Sequence, residues 1–310
     1  MDRAPASAAD PDGRGAGPPG VGPGYARRML TLPDLSGRRF VVTGATNGLG
    51  LHCAGRLAGA GADVAIVGRD LVRTEAVAAE LRRSAKGRVD VHRCDFAEQA
   101  SIRALAAELR ERYAHIDVLV NNAGAVFDTR RVTVDGIEAT FAVNHLGYYL
   151  LTRLCLDRIK GRIVNVASRG HVRATLDFDD LGFERGGYTI MGAYGRSKLG
   201  NIMFTRALAR RLVGTGVTAN ALHPGGVATN IWTGAPAWAA PALWVAKWFM
   251  DTPEQGGDTL CNLAASPALE GRSGLYFSKF TEAEPTALAR DEAIGERLWA
   301  ESARLTGLEP

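Results

Sequence analysis

Tyr194 and Lys198 lie four residues apart in the sequence AYGRSK, and their side-chain types suit proton transfer. A spacing of four places both side chains on one face of a helix. A phenol normally titrates near a pKa of about 10, so it exchanges protons poorly at neutral pH without help. A neighbouring ammonium favours the phenolate and lowers the pKa of the tyrosine. The pair therefore predicts a tuned acid–base group.

A glycine-rich turn, TGATNGLG at residues 43–50, lies far upstream of this pair. It follows a short apolar run and opens a helix-like stretch, which is the context of a dinucleotide-binding turn. Gly44 permits the tight turn, while Gly48 and Gly50 let a pyrophosphate approach the helix N-terminus, where free N–H groups favour an anion. The spacing is GxxxGxG, and such a turn on its own is often only structural. Together with the Tyr–Lys pair, it indicates a nucleotide-binding sheet that carries a proton-transfer group.

The sequence VGRD, residues 67–70, bears on the choice of nicotinamide cofactor. In NAD-binding units an acidic residue at the end of the second strand binds the ribose 2′-hydroxyl. Here Gly68 takes that place and Arg69 follows, and a guanidinium can bind a 2′-phosphate as a fork. We therefore favour NADP(H) over NAD(H) as the cofactor. Two alternatives stay open: Arg69 is a solvated loop residue, or Asp70 pairs with Arg69 or reaches the ribose.

Short apolar runs alternate with helix-like stretches from about residue 38 onward. The runs cover residues 39–43, 63–68, 88–95, 116–124, 161–168, 217–225 and 273–278, and the helical stretches cover 48–60, 70–85, 99–113, 135–159 and 192–213. This alternation is typical of a mostly parallel sheet with helices on both faces. We predict an α/β fold, a single Rossmann-type doubly wound domain over residues 31–310 with about seven strands.

The first 30 residues are dense in Gly, Pro and Ala. They contain no apolar segment of the kind found in secretory signals. Because they lack the hydrophobicity to order themselves, we predict a disordered tail over residues 1–30. The sequence also has no run of about 18 apolar residues, so we expect no integral membrane segment.

Composition and charge narrow the function classes. The 37 Lys and Arg residues against 33 Asp and Glu residues give a formal charge of +4, and the arginines are scattered. A nucleic-acid surface would need them clustered, so we expect no nucleic-acid partner. The cysteines form no CxxC pair and the histidines no HExxH motif, which predicts reduced thiols, a cytoplasmic location and no metal. The high Ala, Gly and Arg content is similar to that of GC-rich bacterial genomes. The cysteines are Cys53, Cys94, Cys155 and Cys261.

Residues 231–250, IWTGAPAWAAPALWVAKWFM, hold four of the five tryptophans. Three interpretations are open: a helical flap over the core, an aromatic lid over an apolar substrate, or a contact with a membrane surface. We favour a substrate flap, and hence a lipophilic small-molecule substrate.

The chain resembles the short-chain dehydrogenase/reductase family. The motifs occur in the order of that family over roughly residues 36–280: TGATNGLG (43–50), NNAG (121–124), Asn144, Ser168, YGRSK (194–198) and HPGGVAT (223–229). The segments at residues 177–184, 252–264 and 284–308 are similar to the retinol-dehydrogenase-like branch.

The resemblance implies a catalytic set of four residues. Tyr194 would exchange the proton of the substrate oxygen, and Lys198 would lower the pKa of Tyr194 and bind the nicotinamide ribose. Ser168 would orient the carbonyl, and Asn144 would hold a water in a proton relay. His145 and His171 are not expected to be catalytic.

The resemblance also implies a cofactor site. Asp95 would contact the adenine, Asn122 and Gly124 would line the cleft, and Thr229 would meet the carboxamide. The full set expected to bind the cofactor is Gly44, Thr46, Asn47, Gly48, Leu49, Gly50, Arg69, Asp95, Phe96, Asn122, Ala123, Gly124, Tyr194, Lys198, Pro224, Gly225, Val227 and Thr229.

Three functions are compatible with these residues. The favoured one is an NADP-dependent oxidoreductase that acts on a carbonyl or alcohol of a lipophilic molecule. The alternatives are a sensor or scaffold that binds NADP(H) without turnover, and a ketoreductase that modifies polyketides or steroids. The resemblance further implies a homodimer through helices near residues 140–155 and 195–212. Tyr148, Leu151, Ile202 and Phe204 would supply that face, although a buried helix would look the same.

Overall fold

Eight strands form one mostly parallel sheet within residues 30–226 and 252–310, which the computed structural model describes. The order across the sheet is β3-β2-β1-β4-β5-β6-β7-β8, and only β7 and β8 pair antiparallel. This order reverses between β1 and β4, as in doubly wound nucleotide-binding sheets. The predicted α/β class is confirmed. The strands are β1 Arg39–Thr43, β2 Asp63–Gly68, β3 Val89–Arg93, β4 Ile116–Asn121, β5 Ile159–Val166, β6 Thr218–His223, β7 Tyr276–Ser278 and β8 Thr281–Glu282.

Helices connect and cover the strands. They are α1 Gly48–Gly59, α2 Leu71–Arg82, α3 Gln99–Arg112, α4 Ala139–Phe141, α5 Gly147–Cys155, α6 Ile190–Arg211, α7 Pro253–Ala265, α8 Ala287–Arg290 and α9 Glu292–Thr306, with 3-10 helices at Arg169–Arg173 and Pro267–Leu269. The helix predicted over residues 135–159 is interrupted by a π-helix, Ala142–Leu146, between α4 and α5. Such wide turns often occur at functional sites.

Burial of the strands between two layers of helices explains their continuous apolar sequences. Helices α3 and α5 pack together, as do α1 and α7, so strands such as β1 and β2 are buried almost throughout. Strands covered on both faces need apolar side chains in both directions. All four cysteines are free and buried.

Some predicted features lie outside the described residues. They are the tail over residues 1–29, the Trp-rich segment at 231–250, Val227 and Thr229. Among the helices that are described, none combines the length and apolar content needed to cross a membrane.

Candidate active site

The glycine-rich turn after β1 is built against the end of β4. Gly44 has a φ of +64°, which favours glycine, and a Cβ at Gly50 would lie 2.5 Å from both Asn122 Nδ2 and Gly44 O. The Asn122 amide donates hydrogen bonds to the carbonyl oxygens of Thr43 and Gly44, at 2.9 and 3.2 Å. The turn therefore requires glycine at these positions and is held in place by Asn122.

Helix α1 begins directly after this turn with an open N-terminus. The side chain of Asn47, the residue before the helix, makes no capping hydrogen bond, and the first turn contains no acidic residue. The first N–H groups of a helix have no partners within the helix, so an uncapped N-terminus is suited to an anion.

A cleft of about 330 Å³ opens at this edge of the sheet. It is lined by eleven of the residues predicted to bind the cofactor: Gly44, Thr46, Asn47, Gly48, Leu49, Arg69, Asp95, Phe96, Asn122, Ala123 and Gly124. Gly50 lies beneath the turn and is buried. Pro224 and Gly225 are buried just after β6 and do not line this cleft.

One end of the cleft is cationic. A Cβ at Gly68 would lie 2.2 Å from Thr74 Oγ1, so the place of the usual acidic residue has no room for a side chain. Arg69 and Arg73 both line this end. The carboxylate of Asp70 accepts a hydrogen bond from the backbone N–H of Arg73 at 3.0 Å, as the N-cap of α2. Asp70 therefore has a structural role in this helix.

Ser168 and Tyr194 meet at the carboxyl end of β5. Ser168 Oγ accepts a hydrogen bond from the backbone N–H of Gly170 at 3.1 Å and caps the 3-10 helix that follows. Burial raises the pKa of Tyr194, and its hydrogen bond with Ser168 partly lowers it. The structure thus brings together the two groups predicted to contact a substrate oxygen.

Lys198 lies beneath the Tyr194 ring. Its Nζ atom is 5.7 Å from the ring centroid and donates a hydrogen bond to the carbonyl oxygen of Val166 at 2.9 Å. Burial lowers the pKa of Lys198 to about 7, because a charge is disfavoured away from water.

Asn144 connects the cleft to α6 from within the π-helix. Its side chain accepts from the N–H of Ala125 at 2.8 Å and donates to the carbonyl oxygen of Ala125 at 2.9 Å. It also donates to Ser197 Oγ at 3.2 Å. These bonds hold the cleft wall at Ala125 against the helix that carries Tyr194 and Lys198.

The two neighbouring histidines are engaged elsewhere. His145 is fully buried, with Nε2 2.9 Å from Ser302 Oγ, and burial lowers its pKa to about 4. His171 Nδ1 donates to the carbonyl oxygen of Ser168 at 2.7 Å, and burial lowers its pKa as well.

The sequence model of the short chain dehydrogenase family matches residues 38–240. The chain belongs to this family. By this membership the chain is an oxidoreductase, and it is called the dehydrogenase below.

Curated relatives place the dehydrogenase in the retinol-dehydrogenase-like branch. It is 38% identical over 299 residues to retinol dehydrogenase 13 of Homo sapiens, covering 92% of this chain and 88% of that protein. It is 39% identical to a Streptomyces sp. (strain C5) protein whose name proposes it as a daunorubicin C-13 ketoreductase, covering 88% of this chain and 94% of that protein.

Solved structures agree in fold. A Mycobacterium Paratuberculosis protein superposes with a TM-score of 0.74 at 32% identity, covering 90% of this chain and 96% of that one. A short-chain dehydrogenase of Burkholderia cenocepacia J2315, solved with NADP, gives a TM-score of 0.65 at 28% identity, covering 79% and 97%.

Sequence reasoning missed several residues of this dehydrogenase's site. Arg73 lines the cationic end four residues after Arg69, a helical spacing that would have indicated it. Phe127 and Val143 line the cleft without any motif to mark them. Ser197, the partner of Asn144, lies inside the YGRSK motif and was not singled out.

Proposed function

We propose that the dehydrogenase transfers hydride between NADP(H) and a carbonyl or alcohol of a lipophilic small molecule, with Tyr194 as the general acid and base. The observation that carries this proposal is the contact of Tyr194 with Ser168 on one side and with Lys198 beneath its ring. A proton donor, a second hydroxyl and a cation converge where a reacting oxygen would be held.

The cleft fits a dinucleotide phosphate. The tight turn at Gly44 and the open N-terminus of α1 suit the pyrophosphate, and Arg69 and Arg73 suit a 2′-phosphate. NADP(H) supplies the hydride chemistry when it is bound, and the protein supplies position and electrostatics.

Tyr194 would donate its proton to the substrate oxygen during reduction. Burial raises its pKa, so the phenol is protonated and ready to donate at neutral pH. The phenolate that remains would be stabilised by the Lys198 ammonium beneath the ring. In the oxidative direction the same phenolate would act as the base.

Ser168 would orient the substrate oxygen. Because its Oγ accepts from the Gly170 N–H, its own O–H is directed away from that bond, toward Tyr194 in this structure, and would turn to the substrate oxygen when a substrate binds. Asn144 would keep α6 in register with the cleft wall, and its predicted role in a water relay stays a proposal.

Apolar side chains support a lipophilic substrate. Phe127 lines the cleft, Val172 is exposed on the 3-10 helix that Ser168 caps, and Met191 is exposed on α6 close before Tyr194 in the chain. Large exposed apolar groups near a site suit apolar ligands.

The substitution Tyr194→Phe tests the mechanism. We expect a loss of turnover of about 10²–10⁴-fold with all-trans-retinal and NADPH, because the proton donor is removed while the ring remains. NADPH binding and melting temperature should change little. Tyr149→Phe is the control, since its hydroxyl bonds Arg153 instead. Turnover near the wild-type rate in Tyr194→Phe would exclude this role.

A ketoreductase acting on polycyclic ketones is the second candidate. The observation in its favour is the similarity to the Streptomyces sp. protein along 94% of that protein's length. Measuring kcat/KM for daunorubicin and for all-trans-retinal, each with NADPH, separates the two substrate classes. Tight NADPH binding without turnover of these or of a broad panel of aldehydes and ketones would instead favour a sensor.

A further inference from the structure

Tyr148, at the start of α5, lies against the buried side of Lys198. It is fully buried, and its ring centroid is 5.5 Å from Lys198 Nζ. Within the described residues its hydroxyl group has no hydrogen-bond partner. The ring, and not the hydroxyl, is therefore the part of Tyr148 that meets the lysine.

Few neighbouring groups offset the cost of burying the positive charge of Lys198. It is 2% exposed, makes a hydrogen bond to one carbonyl oxygen, and has no carboxylate within ion-pair distance among the described residues. A buried ammonium without a counter-ion is unfavourable. A cation over an aromatic face within about 6 Å is attracted by the ring quadrupole, most strongly where water is excluded.

Both aromatic faces near Lys198 satisfy this distance. Nζ lies 5.5 Å from the Tyr148 centroid and 5.7 Å from the Tyr194 centroid. Tyr194 changes charge in the proposed reaction, whereas burial raises the pKa of Tyr148 well above its ordinary value and keeps it neutral. Only Tyr148 therefore offers the same face throughout the reaction.

We propose that Tyr148 is a positioning residue whose ring face holds Lys198 as an ammonium beneath Tyr194. This inference rests on the proposed function, because it acts through Lys198. The elements considered around Lys198 are α5, the π-helix, α6, the 3-10 helix, β5 and β6. Their neutral titratable side chains are Tyr148, Tyr149 and Cys155 on α5, His145 in the π-helix, Tyr194 on α6, His171 in the 3-10 helix and His223 at the end of β6. Their cationic side chains are Arg153, Lys160, Arg162, Arg169, Arg173, Arg196, Arg206, Arg210 and Arg211. Burial lowers the pKa of both His145 and His171, so neither adds a charge at neutral pH.

The composition of the chain makes a direct measurement practical. It has five lysines, so protein labelled with ¹³C at lysine Cε gives a short spectrum that can be titrated with pH. Lys198→Arg identifies the resonance by its disappearance. Without cofactor, the wild-type resonance should titrate near the pKa of about 7 to which burial lowers it. A second titration with NADPH in the sample measures any change of the midpoint on cofactor binding.

Two substitutions of Tyr148 separate the effect of its ring on Lys198 from the effect of its hydroxyl group. Tyr148→Met should lower the titration midpoint of Lys198 by about 0.4–1.5 pH units, since it fills the space without a ring. Tyr148→Phe should leave the midpoint in place. Tyr149→Met is the matched control, because Tyr149 is equally buried but faces Phe204 and Trp299.

The titration midpoints of the variants decide whether the Tyr148 ring holds Lys198. An unchanged midpoint in Tyr148→Met overturns the proposal, and an equal shift in Tyr148→Phe and Tyr148→Met assigns the effect to the hydroxyl and also overturns it. If Tyr148→Met does not fold, phenylalanine with successive ring fluorines at position 148 keeps the shape, and the midpoint should fall with each fluorine. Because this titration needs no turnover, an active Tyr194→Phe enzyme would refute the proposed function separately.

Discussion

The Trp299 indole stacks on the Phe204 ring, with centroids 5.8 Å apart and an angle of 28° between the planes. Trp299 also meets the Tyr149 ring edge-on at 5.1 Å. Helix α9 thus packs on Phe204, one of the four residues that the family resemblance assigned to a dimer face, and on the neighbouring Tyr149. Tyr148, Leu151, Ile202 and Phe204 are each no more than 2% exposed within a single chain.

This covering predicts that α5 and α6 do not join two chains. A dimer through them would require displacing α9 and exposing its buried aromatic contacts, which is costly because aromatic side chains bury large areas. Light scattering should therefore give the 33.0 kDa mass of one chain, unless a surface other than α5 and α6 joins two chains. A stable dimer that is lost when these two helices are altered would contradict this expectation.

Gly50→Ala should damage the cofactor site. A Cβ there would lie 2.5 Å from Asn122 Nδ2 and from the backbone oxygen of Gly44, so the turn must move. We expect a loss of about 1–3 kcal/mol in the free energy of unfolding. We also expect at least tenfold weaker NADPH binding in a fluorescence titration.

Gly59→Ala is the control on the same helix. A Cβ at Gly59 would meet nothing within 4 Å, so helix propensity alone should act and stabilise the protein by up to about 1 kcal/mol. Equal effects of the two substitutions would show that the close approach at Gly50 does not matter.

Arg69→Ala and Arg73→Ala should each weaken NADPH binding more than NADH binding. A lost hydrogen bond to a charged group costs about 1.5–3 kcal/mol, or roughly 10–100-fold in affinity. Calorimetry with both cofactors measures the preference directly. Arg83, directly after the last residue of α2, pairs with Glu80 at the surface, so the control Arg83→Ala should leave both affinities unchanged. Equal losses for NADPH and NADH would mean that the two arginines do not read the 2′-phosphate.

The strands could be predicted closely from the sequence. β1 and β2 begin and end at the predicted residues, because runs buried on both faces are unbroken. β8 was not predicted, since both of its residues, Thr281 and Glu282, are exposed and carry no apolar signal. The π-helix was not predicted either, because it lies in a long apolar stretch that indicates an ordinary helix. Its Asn144 bonds Ala125, 19 residues earlier in the chain, and such a contact leaves no local pattern in the sequence.

The site was predictable where its residues are close in sequence. The glycine turn and the Tyr194–Lys198 pair are local motifs, and Arg69 follows from the end of β2. The contact of Tyr148 with Lys198 joins two helices and comes only from the way α5 and α6 pack together in the folded chain. No periodicity within either helix could have indicated it.

Lys198→Met should abolish turnover and yet stabilise the protein without cofactor. Burial lowers the pKa of Lys198 from 10.5 to about 7. Below pH 7 the lysine is charged in both the folded and unfolded states, and the folded state bears the full cost of burying that charge. Methionine removes this cost, and we expect a gain on the order of 1–3 kcal/mol in the free energy of unfolding.

The pH dependence of this gain gives the sharper measurement. Between the folded pKa of about 7 and the unfolded pKa of 10.5, the unfolded state binds more protons, so wild-type stability rises with pH. The advantage of Lys198→Met should therefore be largest at or below about pH 7 and shrink as the pH approaches 10. Urea unfolding across this range checks it, with the surface substitution Lys160→Met as control. Parallel stability curves for Lys198→Met and wild type would show that Lys198 is not held at a lowered pKa.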